Sequence, residues 1–489
     1  MNIQKVAKEI QEKFGEPFDL IVREFLIAGK TPAIAVFIDT VAGGMRVGAE
    51  VILPLSMPNN WAVDSKQDLF ERVVKTLNGN CRIEIIEDFD QVIFELTNGK
   101  TLILVEGIDK FLFADTTFFQ DRGVSEPPTS AVVKGPREGF AENTVVNVGL
   151  LRKRLKTPDL VISNVIVGKY TRTNVSIMYI KSIADKKIVD DVTKKLESIE
   201  IDGIVDSHYI LSFLQTDKMN VFRQAGNDEK PDIIAAKMLE GRVAILVDGS
   251  PIVLTVPYIL LEDIQAVDDY YNANTVVTVR RFIRLVGGML ALILPGLYVA
   301  MQLYHYKIVP LNILTVITNS VENSPFSPMV EIIFILILFE IMYEASLRMP
   351  MHLGAATGLV GALVLGGTAV ESGLTSAPAV LIAALSMITM YILPNLAPQI
   401  SLLRLVFVLI AGVIGLYGLL IGAIILVVYL ANLESFDTPI LAPFAPRVKS
   451  DLKDGIIKSN VRDSMTRPAS FPNKNKHKRK RKTKKEATS

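Results

Sequence analysis

The 489-residue chain carries 52 Lys and Arg against 51 Asp and Glu, a net charge of +1, so it offers no chain-wide electrostatic footprint for nucleic acid. Its one cysteine, Cys81, excludes an intrachain disulfide and hence a disulfide-stapled secreted scaffold. Half of the residues are hydrophobic, which agrees with a chain that is partly in a membrane, and length alone allows about three or four domains.

The N-terminal segment KVAKEIQEKFGEPF is amphipathic and charged, with no apolar run to serve as a secretory signal; the expectation is a cytoplasmic head. Short β-branched and aromatic runs follow at 34–39, 50–55, 81–87, 91–96 and 101–107 and read as strands. Between them, 65–79 has helical spacing with Leu69, Val73 and Leu77 on one face, ended by Asn78-Gly79. Asn98-Gly99, just before TLILVEG, reads as a hairpin turn. Gly, Pro and Ser cluster over 120–139 as a linker. A second unit repeats the mixture: helices over 142–156 and 185–199, strands over 159–168 and 174–181, then a helix, a strand, an Asp248-Gly249 turn and a strand over 231–257. The fold class expected is an α/β or α+β head of two subdomains with mixed sheets.

Charge then nearly stops. From Leu285 to Glu434 only Lys307, Glu322, Glu331, Glu340, Glu344, Arg348, Glu371, Arg404 and Glu434 remain. Membrane spans are expected at 285–304, 351–370, 377–394 and 403–431. The apolar stretch 330–347 is ambiguous, because Glu340, Glu344 and Arg348 recur every fourth residue as one stripe, and a charge facing lipid at the bilayer centre costs about 2.5–3.5 kcal/mol. Either that helix lies at the interface or its stripe is sequestered in the bundle. Arg280, Arg281 and Arg284 put the start of the first span in the cytoplasm, and the basic run at 474–485 wants the same side, so the crossings should be even in number. Four spans plus one interfacial or re-entrant helix satisfy that. Pro295 inside the first span bends or hinges it. The expected division is thus 1–125, 126–279, an all-α polytopic membrane domain over 280–435, and a tail over 436–489. That tail is Pro-rich, then Lys-rich and disordered near its end, either solvated or lying on anionic lipid.

No catalytic grouping, cofactor motif or metal-ligand spacing stands out: the histidines, 208, 305, 352 and 477, are far apart, and Asp248-Gly249-Ser250-Pro251 is a hairpin signal first. The reading is therefore not an enzyme. Asp268, Asp269, Tyr270 and Tyr271, followed by Arg280, Arg281 and Arg284, read as the joint between head and membrane. In 351–373, Gly354, Gly358, Gly361, Gly366 and Gly367 make a helix of small surface. Copies of it around an axis could line a narrow pore, with Val360, Gly361, Val364, Leu365 and Thr368 inside and Glu371 at one mouth. A tight contact within one subunit accounts for the same glycines.

EGRVAILVDGSPIVLTVP (240–257), DDYY (268–271), RRFIRL (280–285), LPGLYVA (294–300), FEIMYEASLRMP (339–350), LVGALVLGGTAV (359–370) and SFDTPILAPFAPRVKSDLKDGII (435–457) together resemble, in order, the A subunit of the GerA family of spore germinant receptors. The resemblance covers roughly Glu142 to Arg467, about two thirds of the chain; the lysine-rich end looks particular to this sequence. It implies a subunit of a nutrient receptor in the inner spore membrane, partnered by a transporter-like B subunit and a lipoprotein C subunit, with A subunits forming a homo-oligomeric ring around a cation channel. It also favours the pore reading of 351–373, and a buried intersubunit or intrahelix network of Glu340, Glu344 and Arg348. The alternatives are a non-conducting scaffold and an accessory subunit that amplifies ion release without sensing nutrients.

Overall fold

The computed structural model describes residues 2–57, 65–118, 135–215, 220–321, 324–348, 366–460 and 466–478. In the first subdomain, α1 (Ile3–Phe14) buries Ile3, Ala7, Ile10 and Phe14 on one stripe, is capped by the Asn2 side chain and stops at Gly15. β1 (Leu20–Ile27) and β2 (Thr31–Ile38) form a hairpin. Helix α2 (Lys66–Asn78) starts where Ser65 accepts a hydrogen bond from the Asp68 amide, and it buries Leu69, Val73 and Leu77 as the spacing requires. β3 (Ile83–Ile86), α3 (Phe89–Thr97), β4 (Thr101–Val105) and β5 (Phe111–Ala114) complete the unit.

The second subdomain runs α4 (Thr144–Arg154), β6 (Leu160–Val167), β7 (Thr173–Ile180), α5 (Lys186–Glu197), α6 (Ser207–Leu214), β8 (Gly226–Asp228), α7 (Pro231–Glu240), β9 (Val243–Val247) and β10 (Val253–Val256). Its sheet order, β6-β7-β9-β10-β8, is that of the first sheet, β1-β2-β4-β5-β3, with every strand advanced by five. Among the described residues every pairing is antiparallel, so the expected mixed sheets are corrected. The head is one supersecondary plan used twice. β4 and β9 are buried along their whole lengths because core clusters lie on both faces of each sheet, which is why they read as unbroken apolar runs. Arg152 on α4 joins the subdomains, donating from Nε and Nη2 to the two oxygens of buried Asp19 at 2.5 and 2.7 Å.

Two runs expected as strands are helical. QVIFEL lies in α3, where Asp88 caps the start and Val92, Ile93 and Leu96 are buried at helical spacing. EVILPL lies in a helical stretch in which Val47, Val51 and Leu55 recur every fourth residue. A short apolar run does not separate strand from helix by periodicity alone. Asn98-Gly99 closes α3 and makes no hairpin; Gly99 has φ +92°, and a Cβ there would meet the Val41 carbonyl oxygen at 2.7 Å. Asp248-Gly249 does turn between β9 and β10.

Below the head stand α8 (Asn274–Leu303), α9 (Leu311–Val321), α10 (Pro328–Arg348), α11 (Ala377–Met390), α12 (Ala397–Ile414) and α13 (Leu416–Asn432). Among the described residues two helices, Asn274–Leu303 and Pro394–Ile414, are long and apolar enough to cross a membrane. At about 1.5 Å per residue α8 is about 45 Å long, so it leaves the head and reaches the other end of the bundle. There Tyr304, just after α8, donates to the Gly412 and Val413 carbonyls at the end of α12, 2.9 and 3.0 Å away. The α11–α12 turn returns to the head, where Asn395 Nδ2 meets Asp263 at 3.3 Å.

The span expected at 403–431 is two helices. Gly415, at φ +74° and ψ −148°, breaks the chain, and α13 folds back so that Gly422 lies beside Phe407 and Gly418 beside Ile410. The 330–347 helix packs along α11 and α12, with Glu331, Ile332, Ile335 and Leu336 buried. The crossing count that took 403–431 as one span and 330–347 as interfacial loses both premises. Pro295 is buried within a continuous α8.

After α13, β11 (Glu434–Ser435) and β12 (Thr438–Pro439) return the chain to the head, where Ser435 Oγ donates to the Gln224 carbonyl at 2.5 Å and accepts from the Tyr258 amide at 2.9 Å. Much of the expected disordered tail is held: Phe471 is buried under the Arg242 guanidinium, 4.1 Å from its ring centre, and the Lys474 amide donates to the Ile183 carbonyl at 2.8 Å. The final basic stretch, 479–489, lies outside the described residues, as does the 125/126 boundary; the 279/280 boundary falls inside α8.

Candidate functional site at the head–helix joint

The joint is built by the first three turns of α8 and the short helix before it, Val267–Tyr271. Arg281 and Arg284 sit three apart on α8, so both guanidiniums face the same neighbour. That neighbour is Asp269, fully buried: Arg281 Nε donates to Oδ2 at 2.9 Å, and Arg284 donates to Oδ2 and Oδ1 at 2.8 and 2.9 Å. Burial acts to raise the Asp269 pKa, but the hydrogen bonds and charges of Arg284 and Arg281 outweigh it, so the carboxyl lies below its usual range and is ionised at neutral pH.

Arg281 is itself fully buried and reaches a third segment, the C-terminal turn. Its Nη1 donates to the Asp454 carbonyl at 3.0 Å, the Asp454 carboxylate at 3.0 Å and the Gly455 carbonyl at 2.6 Å. Lys458 then donates to the Asp269 and Asn272 carbonyls. The result is a four-part lock of α8, the Val267–Tyr271 turn, the Asp451–Asp454 turn and Lys458. Tyr271 donates to Asp232 at the start of α7 at 2.9 Å, tying the lock to the second subdomain. Asp268 and Arg280 are in the same segments but outside the cluster: Arg280 is exposed, and Asp268 accepts only through its carbonyl, from Asn272 at 2.7 Å. Tyr270 touches Asp454 at 3.4 Å.

A second polar set lies one helix away. Asp263 is paired with Arg223, accepts from the Tyr258 hydroxyl and holds Asn395 of the α11–α12 turn. Beside it, buried Glu262 pairs with Arg242 and, at 2.7 Å, with Lys237. Burial would raise the Glu262 pKa, yet Arg242 and Lys237 bring it down to about 2. The tail enters here too, through Phe471 on Arg242.

Sequence reasoning grouped Asp269, Arg281 and Arg284 but missed Asp454, Lys458 and Asp263, which reach the joint from distant segments. Within the bundle, the stripe of Glu340, Glu344 and Arg348 divides. Glu344 and Arg348 pair at 2.5 Å on an exposed face, their side chains 57% and 79% accessible. Glu340 instead meets Arg404 of α12 at 3.3 Å, a side chain only 1% exposed. Of the suggested pore residues, Thr368 and Glu371 are exposed on the helix that ends at 371; Val360, Gly361, Val364 and Leu365 lie outside the described residues. Among the described residues no three His, Cys, Asp or Glu side chains are grouped to hold a metal ion.

A duplicated antiparallel α/β head locked by buried ion pairs onto an apolar helical bundle defines a class of head-and-anchor protein. The model of the family described as Bacillus/Clostridium GerA spore germination protein matches residues 8–470, and the chain belongs to that family. It is 33% identical to spore germination protein KA of Bacillus subtilis over 94% of this chain and 84% of that one. It is 32% identical to spore germination protein GerLA of Bacillus cereus over 94% and 93% of the two chains. The crystal structure of the N-terminal domain of the A subunit of the Bacillus megaterium spore germinant receptor GerK3 aligns with 51% of this chain and 91% of its own, at 28% identity and a TM-score of 0.40.

Proposed function

We propose that the chain is a membrane subunit of a nutrient-sensing spore germinant receptor and forms an oligomeric, ligand-gated cation channel that starts germination. The observation that carries this reading is the family match across residues 8–470. The fold supports it by supplying a mechanical path: a rotation of the second subdomain is delivered to α8 through Tyr271, Asp269 and Arg281, with little lost in slack because the pairs are buried. Ligand on a partner shifts the assembly only by its difference in affinity for the two states.

In this reading the partners are a transporter-like B subunit and a lipoprotein C subunit, and the setting is the inner spore membrane with the head in the cytoplasm. α8 and α12 run away from the head and α10, α11 and α13 run toward it, so the reading keeps the even number of crossings expected from the sequence. An even number keeps Ser435, Phe471 and Lys474 on the side of the head, where they pack. The pore is lined by copies of 351–373, so Val364→Ala should leak cations in a channel and change nothing in a scaffold.

The experiment is cation release from spores after nutrient addition, parent against gene deletion, across amino acids and sugars. Loss of release to particular nutrients supports the receptor. Uniform slowing to all nutrients selects the amplifier instead, and unchanged release removes the sensor role.

A further inference from the structure

The end of the bundle opposite the head carries a polar cluster that the joint and the pore reading do not use. Glu331, in the first turn of α10, is fully buried, and one of its carboxylate oxygens accepts from the Ser376 amide at the start of α11. That contact accounts for one oxygen, as an acid capping a helix N-terminus. The second oxygen, Oε2, is buried with no partner. Around it the Tyr298 hydroxyl lies beside Glu331 and leans on Ser376 and Gln302, with neither contact reaching full hydrogen-bond geometry. Gln302 Nε2 falls short in the same way, and Thr375 Oγ1, on the residue before Ser376, is buried with no partner. Tyr298, Thr375 and Ser376 are 7%, 2% and 2% exposed, so bulk water does not satisfy them. Among the described residues no basic side chain pairs with Glu331.

Four polar atoms without full partners, drawn from α8, α10 and the turn before α11, need a common partner, because each buried unmet group is costly and a buried carboxylate without a counter-charge is costlier. The donor set defines that partner. One carboxylate oxygen, a phenol, a threonine hydroxyl and a carboxamide, whose oxygen turns inward when the amide is flipped, are all hard oxygen ligands. A single carboxylate balances a single positive charge, whereas sites for divalent ions gather more acids or waters. We propose that Glu331, Tyr298, Gln302 and Thr375 form a binding site for one monovalent metal cation, sodium or potassium, at the end of the bundle away from the head. The site stands apart from residues 351–373 and does not require that the assembly conduct.

The test uses the full-length protein purified in detergent. Thermal unfolding is followed in NaCl, KCl and N-methylglucamine chloride at equal ionic strength. The expected result is a midpoint that rises saturably with sodium or potassium and stays flat with the organic cation. Glu331→Gln should remove the difference between the salts. Thr375→Val, which keeps the carboxylate, should raise the half-saturating cation concentration about tenfold and decides the matter if the glutamine variant does not fold. Identical midpoints in all three salts overturn the proposal. A cation effect that persists unchanged in Thr375→Val or Glu331→Gln places the ion elsewhere and overturns it equally.

Discussion

The two ends of the helical bundle solve the problem of buried charge in opposite ways. At the head end, Asp269 receives two arginines, and Arg281 in turn finds a carboxylate and two carbonyls. At the far end, Glu331 has one amide partner and an oxygen left over. Arg281 Nη2 is left over at the head end too, but there each buried charge meets an opposite one and the geometry is fixed; at the far end the carboxylate meets none among the described residues and retains capacity for a cation. The first suits a coupler between head and membrane; the second suits a site.

The sharpest way to break this comparison is to open the closed end. Asp269→Ala leaves Arg281 and Arg284 without their shared carboxylate, and breaking a buried pair from one side costs about 3–5 kcal/mol. The variant should unfold well below the wild type, or fail to accumulate, while Asp268→Ala, outside the cluster, should change little; thermal melts of the two in detergent make the check. If they melt alike, the lock is not a lock.

Acid gives the next largest effect. Glu262, brought to about 2, stays ionised in the fold to lower pH than in the unfolded chain. Its contribution is present above pH about 4.3 and is lost as pH falls toward 2, about 3 kcal/mol in all. Glu262→Gln should flatten the stability profile over that window. A profile unchanged by the substitution would mean that the Arg242 and Lys237 pairs do not form.

Gly415→Ala is expected to cost about 1–3 kcal/mol, since its φ of +74° with ψ of −148° is a region kept for glycine and a Cβ would stand 2.9 Å from Tyr304. Its effect should appear in detergent melts as loss of the α12–α13 hairpin. The smallest effect belongs to Glu344→Ala: its pair with Arg348 is exposed, so stability should move by less than about 0.5 kcal/mol. A larger loss would point to a partner that covers this face.

How much of this was legible in the sequence follows from the range of each interaction. The charge boundary near Arg284 marks the joint because composition is local, and Asp269 with Arg281 and Arg284 can be grouped because they are 12 and 15 residues apart. Asp454 is 173 residues from Arg281, and Arg404 is 64 from Glu340; no periodicity connects them. The antiparallel order of both sheets was equally hidden, since β4 and β9 read alike in parallel and antiparallel sheets once both faces are covered. The division of 403–431 was visible in principle: IAGVIGLYG sets Gly412, Gly415 and Gly418 at the point where the chain reverses. Uniform hydrophobicity on both sides masked the break, because a membrane-length run looks the same whether it crosses once or folds back.

The central claim is that the buried lock at Asp269 carries the signal of a germinant receptor from head to helices. The direct test is to delete the gene, restore it as wild type or as Asp269→Asn, and measure nutrient-triggered cation release from spores holding equal amounts of the protein. The account predicts that the wild type restores the lost response and that the asparagine variant, isosteric but uncharged, does not. Full release from the asparagine spores would contradict it.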